Sequence, residues 1–327
     1  MAIRFFDMFA GIGGFRSGLE AIGGFECVGY CEIDKYAKQA YEAMYDTGGE
    51  LYFDDARKIV PEQLPDFDLL VGGFPCQSFS IAGARKGFDD TRGTLFFEIA
   101  RIASVKKPKY IFLENVPGML NHDKGRTFET ILRTLDGLGY NVCWQVLNIK
   151  NFGLLIKAKT KDGYQVAYPG DSIDTAFSGQ NSRRGRVGNQ IAHTLTTSAT
   201  QAYYFIDLNP DPKLTEIARC ITARHDSGIS NRKAEHSGVF VESTDFTDDE
   251  KFAVAFIEPN GEVHIGRIRK LTPMECWKLQ GFTDDQFDKA KATGLSDSRL
   301  YKMAGNAVTV NVISEIGKII KKVNDKN

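Results

Sequence analysis

The feature that most constrains this chain is a short apolar strand that runs directly into a set of glycines. Residues 3–9 read as the strand, Ala10-Gly11-Ile12-Gly13-Gly14-Phe15 as a tight turn, and about 15–22 as the helix that it opens. Glycines at such a turn let a cofactor approach the main chain closely. The turn suits a ligand-free βα connection as well, so it fixes a βα unit before it fixes a function. The pattern then repeats. Residues 25–30 form a second strand and 35–45 a second helix, and 68–71 and 110–113 are apolar runs of the kind buried in parallel sheets. Phe128, Ile131, Leu132, Leu135 and Leu138 share one helix face, and 141–147 reads as a returning strand. This order implies an α/β fold with a mostly parallel, doubly wound sheet covered on both faces.

The character changes after residue 153. Residues 154–266 are rich in Gly, Ser, Thr, Asn and charge, with short strand-like pieces at 201–208 and 238–242. They read as a smaller, loop-rich domain. Helical pattern returns from 268. Thr272-Pro273-Met274-Glu275 is a capping box with proline at the first helical position, and Gly281 can end that helix. Val312, Ile313, Ile316, Ile319 and Ile320 mark the apolar face of a last helix, predicted to pack back on the first domain. The expected division is therefore 1–153 with 267–327, and 154–266.

Composition excludes some classes. With 42% hydrophobic and 25% charged residues the chain reads as an ordinary soluble globular protein. No apolar run reaches the roughly 18 residues of a membrane span, and the N-terminus has no signal-peptide pattern. A cytoplasmic protein without a membrane partner is expected. The net charge of −1 gives no global signature of nucleic-acid binding. A local patch remains open: 181–206 carries Arg183, Arg184 and Arg186 and no acid, which also suits a solvated loop. The six cysteines form no paired CxxC units, so no metal site is expected, and most of the thiols should be buried and inert.

Three motifs carry chemistry. The second strand ends in Cys31-Glu32-Ile33-Asp34, where an acid can accept hydrogen bonds from a ribose diol. The glycine turn has no basic residue for a pyrophosphate, which favours a nucleoside cofactor without phosphates. Gly72-Gly73-Phe74-Pro75-Cys76-Gln77-Ser78-Phe79-Ser80 follows the strand at 68–71, so Cys76 sits at a carboxyl edge of the sheet in a turn too polar for a core cysteine. A reactive thiol needs access and a stabilised thiolate, and a loop before a helix supplies both. An incidental loop cysteine is the alternative. Phe112-Leu113-Glu114-Asn115-Val116 ends the next strand, so Glu114 reaches the same edge, as a catalytic acid or as a cap or salt-bridge acid.

These motifs, in this order, resemble the DNA cytosine-5 methyltransferase family. The likeness extends through Lys86-Gly87-Phe88-Asp89-Asp90-Thr91-Arg92-Gly93-Thr94-Leu95-Phe96, and resumes at Arg269-Lys270-Leu271-Thr272-Pro273-Met274-Glu275-Cys276 and Ala304-Gly305-Asn306-Ala307-Val308. It implies S-adenosylmethionine as methyl donor and a target cytosine flipped out of duplex DNA. Cys76 would attack C6 of that base while Glu114 assists at N3. Phe9, Gly11, Ile12, Gly13, Glu32, Ile33, Asp55, Pro75 and Asn306 fall on the family's cofactor positions, with Glu32 on the ribose and Ile33 where a tryptophan is frequent. Gln77, Ser80 and Arg92 fall on a loop that closes over DNA. Residues 154–266 would be the target-recognition domain, with Arg183, Arg184 and Arg186 meeting DNA. The family implies a monomer, and a cognate restriction endonuclease, where one exists, held in no stable complex.

One departure stands out. The family's Asn-Phe-Gly element is followed by a strand carrying Gln-x-Arg-x-Arg. Here Asn151-Phe152-Gly153 runs on into Leu154-Leu155-Ile156-Lys157-Ala158-Lys159. The nearest substitute, Gln180-Asn181-Ser182-Arg183-Arg184-Gly185-Arg186-Val187, has its glutamine displaced by two positions and is set among Gly179, Gly185 and Gly188, which favours a DNA-contacting loop. The sheet then lacks a strand or borrows one, such as 202–208. A non-catalytic relative that binds DNA or cofactor is the competing reading. An RNA methyltransferase is a third, disfavoured by the long variable segment and the lack of an added RNA-binding module.

Overall fold

The computed structural model describes residues 2–74, 95–147 and 270–326 in full, and between 148 and 269 the backbone of the strands alone. By contact the chain divides into two units. One comprises Met1–Leu147, Asp285–Leu295 and Ala307–Asn327; the other comprises Asn148–Asp284 and Ser296–Asn306.

The first unit is built on a five-stranded sheet of β1 (Ile3–Met8), β2 (Phe25–Cys31), β3 (Leu51–Phe53), β4 (Leu69–Gly73) and β5 (Tyr110–Glu114), in the order β3-β2-β1-β4-β5. β1 pairs in parallel with β2 and β4, β2 with β3, and β4 with β5. The chain steps outward from β1 through β2 and β3, then returns to the other side of β1 for β4 and β5. The carboxyl ends of β1 and β4 therefore flank the topological switch point, where open α/β sheets bind their ligands.

Helices α1 (Gly14–Ala21), α2 (Lys35–Met44) and α3 (Leu95–Lys106) connect β1 to β2, β2 to β3 and β4 to β5, and α4 (Arg126–Gly137) follows β5. Successive strand residues face opposite sides of a sheet. Phe6, Met8 and Leu70 accordingly pack with Phe96, Ile99 and Ile102 of α3 and Ile131 and Leu135 of α4. Phe5, Leu69 and Val71 pack with Phe15 and Leu19 of α1 and with Ile313. Each such side chain contributes roughly 1.5–3 kcal/mol on burial. The expected doubly wound α/β sheet is present.

The remaining helices are α5 (Pro273–Leu279), α6 (Asp284–Ala292), α7 (Asp297–Asn306) and α8 (Val310–Asn324). The last helix packs on the first unit as expected, with Ile313 and Ile320 of the expected stripe in the core and the contact face rotated toward Ser314 and Gly317. Its buried residues are Val310, Ile313, Ser314 and Gly317, while Ile319 is 62% exposed. The cause is a close approach to α1. A Cβ on Gly18 would lie 2.6 Å from that of Ile313, and Ser314 Oγ donates to the Gly18 carbonyl at 3.0 Å. Backbones this near admit small residues at the contact, so the bulky stripe is partly turned outward.

The stretch 141–147, expected as a strand, is not one. Val142, Trp144 and Val146 alternate correctly but remain 37%, 58% and 55% exposed. Trp144 rests edge-on against Phe128 of α4, with 5.1 Å between ring centroids. Among the described residues β5 pairs with β4 alone, and an extended segment becomes a strand only where a neighbour takes its backbone hydrogen bonds.

In the second unit, β10 (Tyr204–Asp207), β11 (Leu214–Thr215), β12 (Ser237–Glu242), β13 (Ala253–Ile257) and β14 (Val263–Lys270) form an antiparallel sheet in the order β11-β10-β12-β14-β13. Two further antiparallel pairs join β6 (Leu154–Lys157) to β7 (Tyr164–Ala167) and β8 (Ser172–Asp174) to β9 (Arg186–Gly188). Two expectations are corrected here. The 202–208 stretch supplies β10 to this sheet and is not borrowed by the first one. Arg186 opens β9 opposite Asp174, so the end of the arginine segment is strand rather than loop. The capping box at Thr272 and Glu275 is formed, and the buried Trp277 donates Nε1–H to the Leu300 carbonyl at 2.9 Å, joining α5 to α7.

Candidate active site

The parallel register brings the ends of the strands together. Met8 lies opposite Cys31 on one side and Gly72 on the other, and Gly73 lies opposite Glu114. Each chemical motif of the sequence begins at one of these ends.

The glycine turn leaves β1 with three left-handed residues, Phe9 (φ 56°), Gly11 (φ 56°) and Gly13 (φ 78°). Phe9 pays for this conformation in strain, and such outliers gather at functional sites. Gly13 is required twice over. Its φ disfavours a side chain, and a Cβ there would lie 2.5 Å from the Tyr45 ring. The Tyr45 hydroxyl lies 3.1 Å and 2.9 Å from the carbonyls of Ile12 and Gly13, which holds the turn from below. Ile12 is buried. Among the described residues, a Cβ on Gly11 would meet nothing within 4 Å.

Glu32, at the end of β2, is tied into this turn. Oε2 accepts from the Gly11 amide and Oε1 from the Asp34 amide, both at 2.7 Å. Its own amide donates to the Phe53 carbonyl, and the Tyr52 hydroxyl donates to its carbonyl. Burial raises the carboxyl above its usual range, against the pull of the Asp34 and Gly11 amides. A carboxylate offers about four lone-pair positions, so two backbone bonds leave acceptor capacity for a diol. Asp34 has a different task, capping α2 by accepting from the Tyr36 amide at 3.0 Å. Ile33 is 71% exposed. Asp55 is chelated by Arg57 at 2.7–3.1 Å, and those hydrogen bonds hold its carboxyl down at about 2.

Asp7 is fully buried in β1, and burial pushes its carboxyl up to about 8 against the attraction of Arg16. Arg16 itself forms a two-pronged pair with Glu50, both contacts at 2.8 Å. Neither this pair nor Tyr45 was marked in the sequence, since no local signal distinguishes them from ordinary helix residues.

On the other side of the switch point stands Glu114. Its carboxyl reaches back over β4, so that a Cβ on Gly73 would lie 3.1 Å from Oε2. Among the described residues no group donates a hydrogen bond to it, and burial raises its pKa. Next to it, Asn115 Nδ2 donates to the Phe74 carbonyl at 2.6 Å. Cys27, Cys31 and Cys276 are buried, and burial pushes the thiols of Cys31 and Cys276 up to about 12, far from thiolate at neutral pH. Cys143 is exposed. Pro75, Cys76, Gln77, Ser80, Arg92, Arg183 and Arg184 lie outside the described residues, and Arg186 is described by its backbone alone. Asn306 is exposed at the end of α7, in the second unit.

A parallel sheet with a glycine turn, a buried glutamate and a second carboxyl around its switch point is the place where open α/β proteins bind their ligands. The comparisons give the class its name. The pattern of the C-5 cytosine-specific DNA methylase family matches residues 3–155 and 170–322, and the chain belongs to that family. Type II methyltransferase M.NlaX of Neisseria lactamica is 37% identical over 331 residues, covering 97% of this chain and 96% of that protein. Type II methyltransferase M.HhaI of Haemophilus parahaemolyticus is 35% identical, covering 96% and 93%. Orphan methyltransferase M.SPRI of Bacillus phage SPR is 32% identical, covering 97% of each. The solved structure of S. pombe Dnmt2 methyltransferase matches 99% of the chain and all of that protein at a TM-score of 0.60 and 15% identity, a likeness of fold. The chain is a DNA cytosine-5 methyltransferase that takes its methyl group from S-adenosylmethionine. Among the described residues no helix is long and apolar enough to cross a membrane.

Proposed function

We propose that the chain methylates a cytosine flipped out of duplex DNA, with Cys76 as covalent nucleophile and Glu114 as the acid that assists it. The observation that supports this reading is the carboxyl of Glu114, without a hydrogen-bond donor among the described residues, raised in pKa by burial and set beside the end of the strand that leads to Cys76. S-adenosylmethionine supplies an electrophilic methyl group at its sulfonium. Cytosine C5 is a poor nucleophile until the ring is activated. The Cys76 thiolate adds to C6, the C5–C6 π pair moves into the ring, and Glu114 donates its proton to N3. C5 would then take the methyl carbon as its bond to the sulfonium breaks, with neutral S-adenosylhomocysteine as the leaving group. Loss of the C5 proton to solvent restores the double bond, expels the thiolate and returns the N3 proton to Glu114.

Glu32 would hold the cofactor's ribose, and among the described residues no side chain stands over Gly11. Phe9, Ile12, Gly13, Ile33, Asp55, Pro75 and Asn306 are cofactor positions by their place in the family pattern, as Gln77, Ser80 and Arg92 are DNA positions. Residues 1–153 and 267–327 form the catalytic part, and 154–266 read the DNA target. The chain acts as a cytoplasmic monomer, in no stable complex with any cognate endonuclease.

Duplex DNA carrying 5-fluorocytosine tests the covalent step, because fluorine cannot leave as a proton does. Digestion of the trapped complex should place the adduct on the peptide that contains Cys76. An adduct on another residue, or none while ordinary DNA is methylated, rejects the mechanism. By calorimetry, Glu32→Ala should weaken S-adenosylmethionine binding by roughly 1–3 kcal/mol, the scale of hydrogen bonds to a charged group. Unchanged affinity removes Glu32 from the site. Replacing Arg183, Arg184 and Arg186 with alanine should weaken DNA binding and flatten its salt dependence by about one unit of slope per lost phosphate contact, with cofactor affinity unchanged. Intact DNA binding with a collapsed chemical step would make the segment a displaced catalytic motif instead.

A further inference from the structure

We infer that Asn115 is a positioning residue that sets the separation of the nucleophile and the acid; this rests on the proposed roles of Cys76 and Glu114. β4 and β5 run in register to the pair Gly73 and Glu114, and there the ladder ends. One residue beyond, the chains would be free to part. They do not, because Asn115 Nδ2 donates to the Phe74 carbonyl at 2.6 Å, while Asn115 Oδ1 accepts from the Val116 amide at 2.9 Å. The second bond orients the carboxamide so that its N–H side faces β4. Phe74 is a firm anchor, since its ring is buried and lies 5.5 Å from that of Phe96.

The position of this bond gives it its effect. Asn115 adjoins Glu114 in the chain. Phe74 precedes Cys76 by two residues, and two trans peptide units span at most about 7.6 Å between Cα atoms. One side-chain hydrogen bond therefore ties together the backbones that carry the acid and the thiol. Its donor is neutral and keeps no proton that titrates in the working range, so the tie holds whatever the protonation state of Glu114. A displacement of about 1 Å in such a pair can cost about 10²-fold in rate.

Asn115→Asp tests this directly. The shape is nearly kept, but an ionised carboxylate cannot donate to the Phe74 carbonyl, whereas a protonated one can. Single-turnover methyl transfer by Asn115→Asp at pH 8 should fall by about 10–100-fold relative to the parent, and Asn115→Ala by a similar factor. The ratio of Asn115→Asp to parent should recover only as pH falls toward the ordinary aspartate range, about 4–5, and that of Asn115→Ala should stay flat. S-adenosylmethionine affinity should remain within about twofold, as expected for a group outside the cofactor site. Parent-like rates in both variants overturn the proposal. So does a rate loss that comes with lost cofactor affinity and no pH rescue, which marks a merely structural residue. Cys76→Ala is run in parallel: methyl transfer that persists in it removes the underlying reading and the proposal together, whereas its loss with a parent-like Asn115→Asp overturns the proposal alone.

Discussion

Cys76→Ala should abolish methyl transfer, lowering the single-turnover rate by about 10⁴-fold or more, the scale on which a covalent nucleophile is missed. The thiols of Cys31 and Cys276 are held near 12 by burial and cannot stand in at neutral pH. Cofactor affinity should survive, because the proposed ribose acid Glu32 is held by its hydrogen bonds with Gly11, Phe53 and Tyr52. A variant that methylates DNA at even a hundredth of the parental rate would require a different first step.

Glu114→Gln should slow the chemical step by about 10²-fold, the usual effect of removing a positioned acid. The pH dependence adds a sharper signature. Burial raises the Glu114 pKa, so the carboxyl keeps its proton to higher pH than an ordinary glutamate. The parental rate should therefore fall as pH rises through that raised pKa, and Glu114→Gln should lose this limb of the profile. Stability should move in the same direction. The neutral carboxyl suits its buried place, so its contribution is full below the unfolded pKa and is lost as pH rises through the folded one. Thermal melting of the parent should drop over that window relative to Glu114→Gln. A glutamine variant with parental turnover and an unchanged pH profile would leave Glu114 as a structural residue.

Much of the site was legible because it is local. The strand, glycine turn and helix at the N-terminus follow from neighbouring residues, as does the acid that closes β2. What was not legible depends on distant partners. The alternation of Val142, Trp144 and Val146 promised a strand, but pairing is a property of two segments and the described sheet ends at β5. The apolar face of α8 was legible in Ile313 and Ile320, but its rotation was not, because the contact with α1 is set by Gly18, almost three hundred residues earlier, and brings Ser314 and Gly317 to the seam. β13 and β14 hid in a stretch read by its loops. The hydrogen bond from Asn115 could not be read at all, since it exists only because Gly73 and Glu114 share a register.

The most direct measurement is the fate of a labelled methyl group. Purified chain is incubated with duplex DNA and methyl-labelled S-adenosylmethionine, and the DNA is hydrolysed to nucleosides. The account predicts label in 5-methylcytosine, with none when Cys76→Ala replaces the parent. DNA that stays unlabelled although the parent binds both DNA and cofactor would contradict it, and would leave a methyltransferase scaffold that no longer performs the transfer.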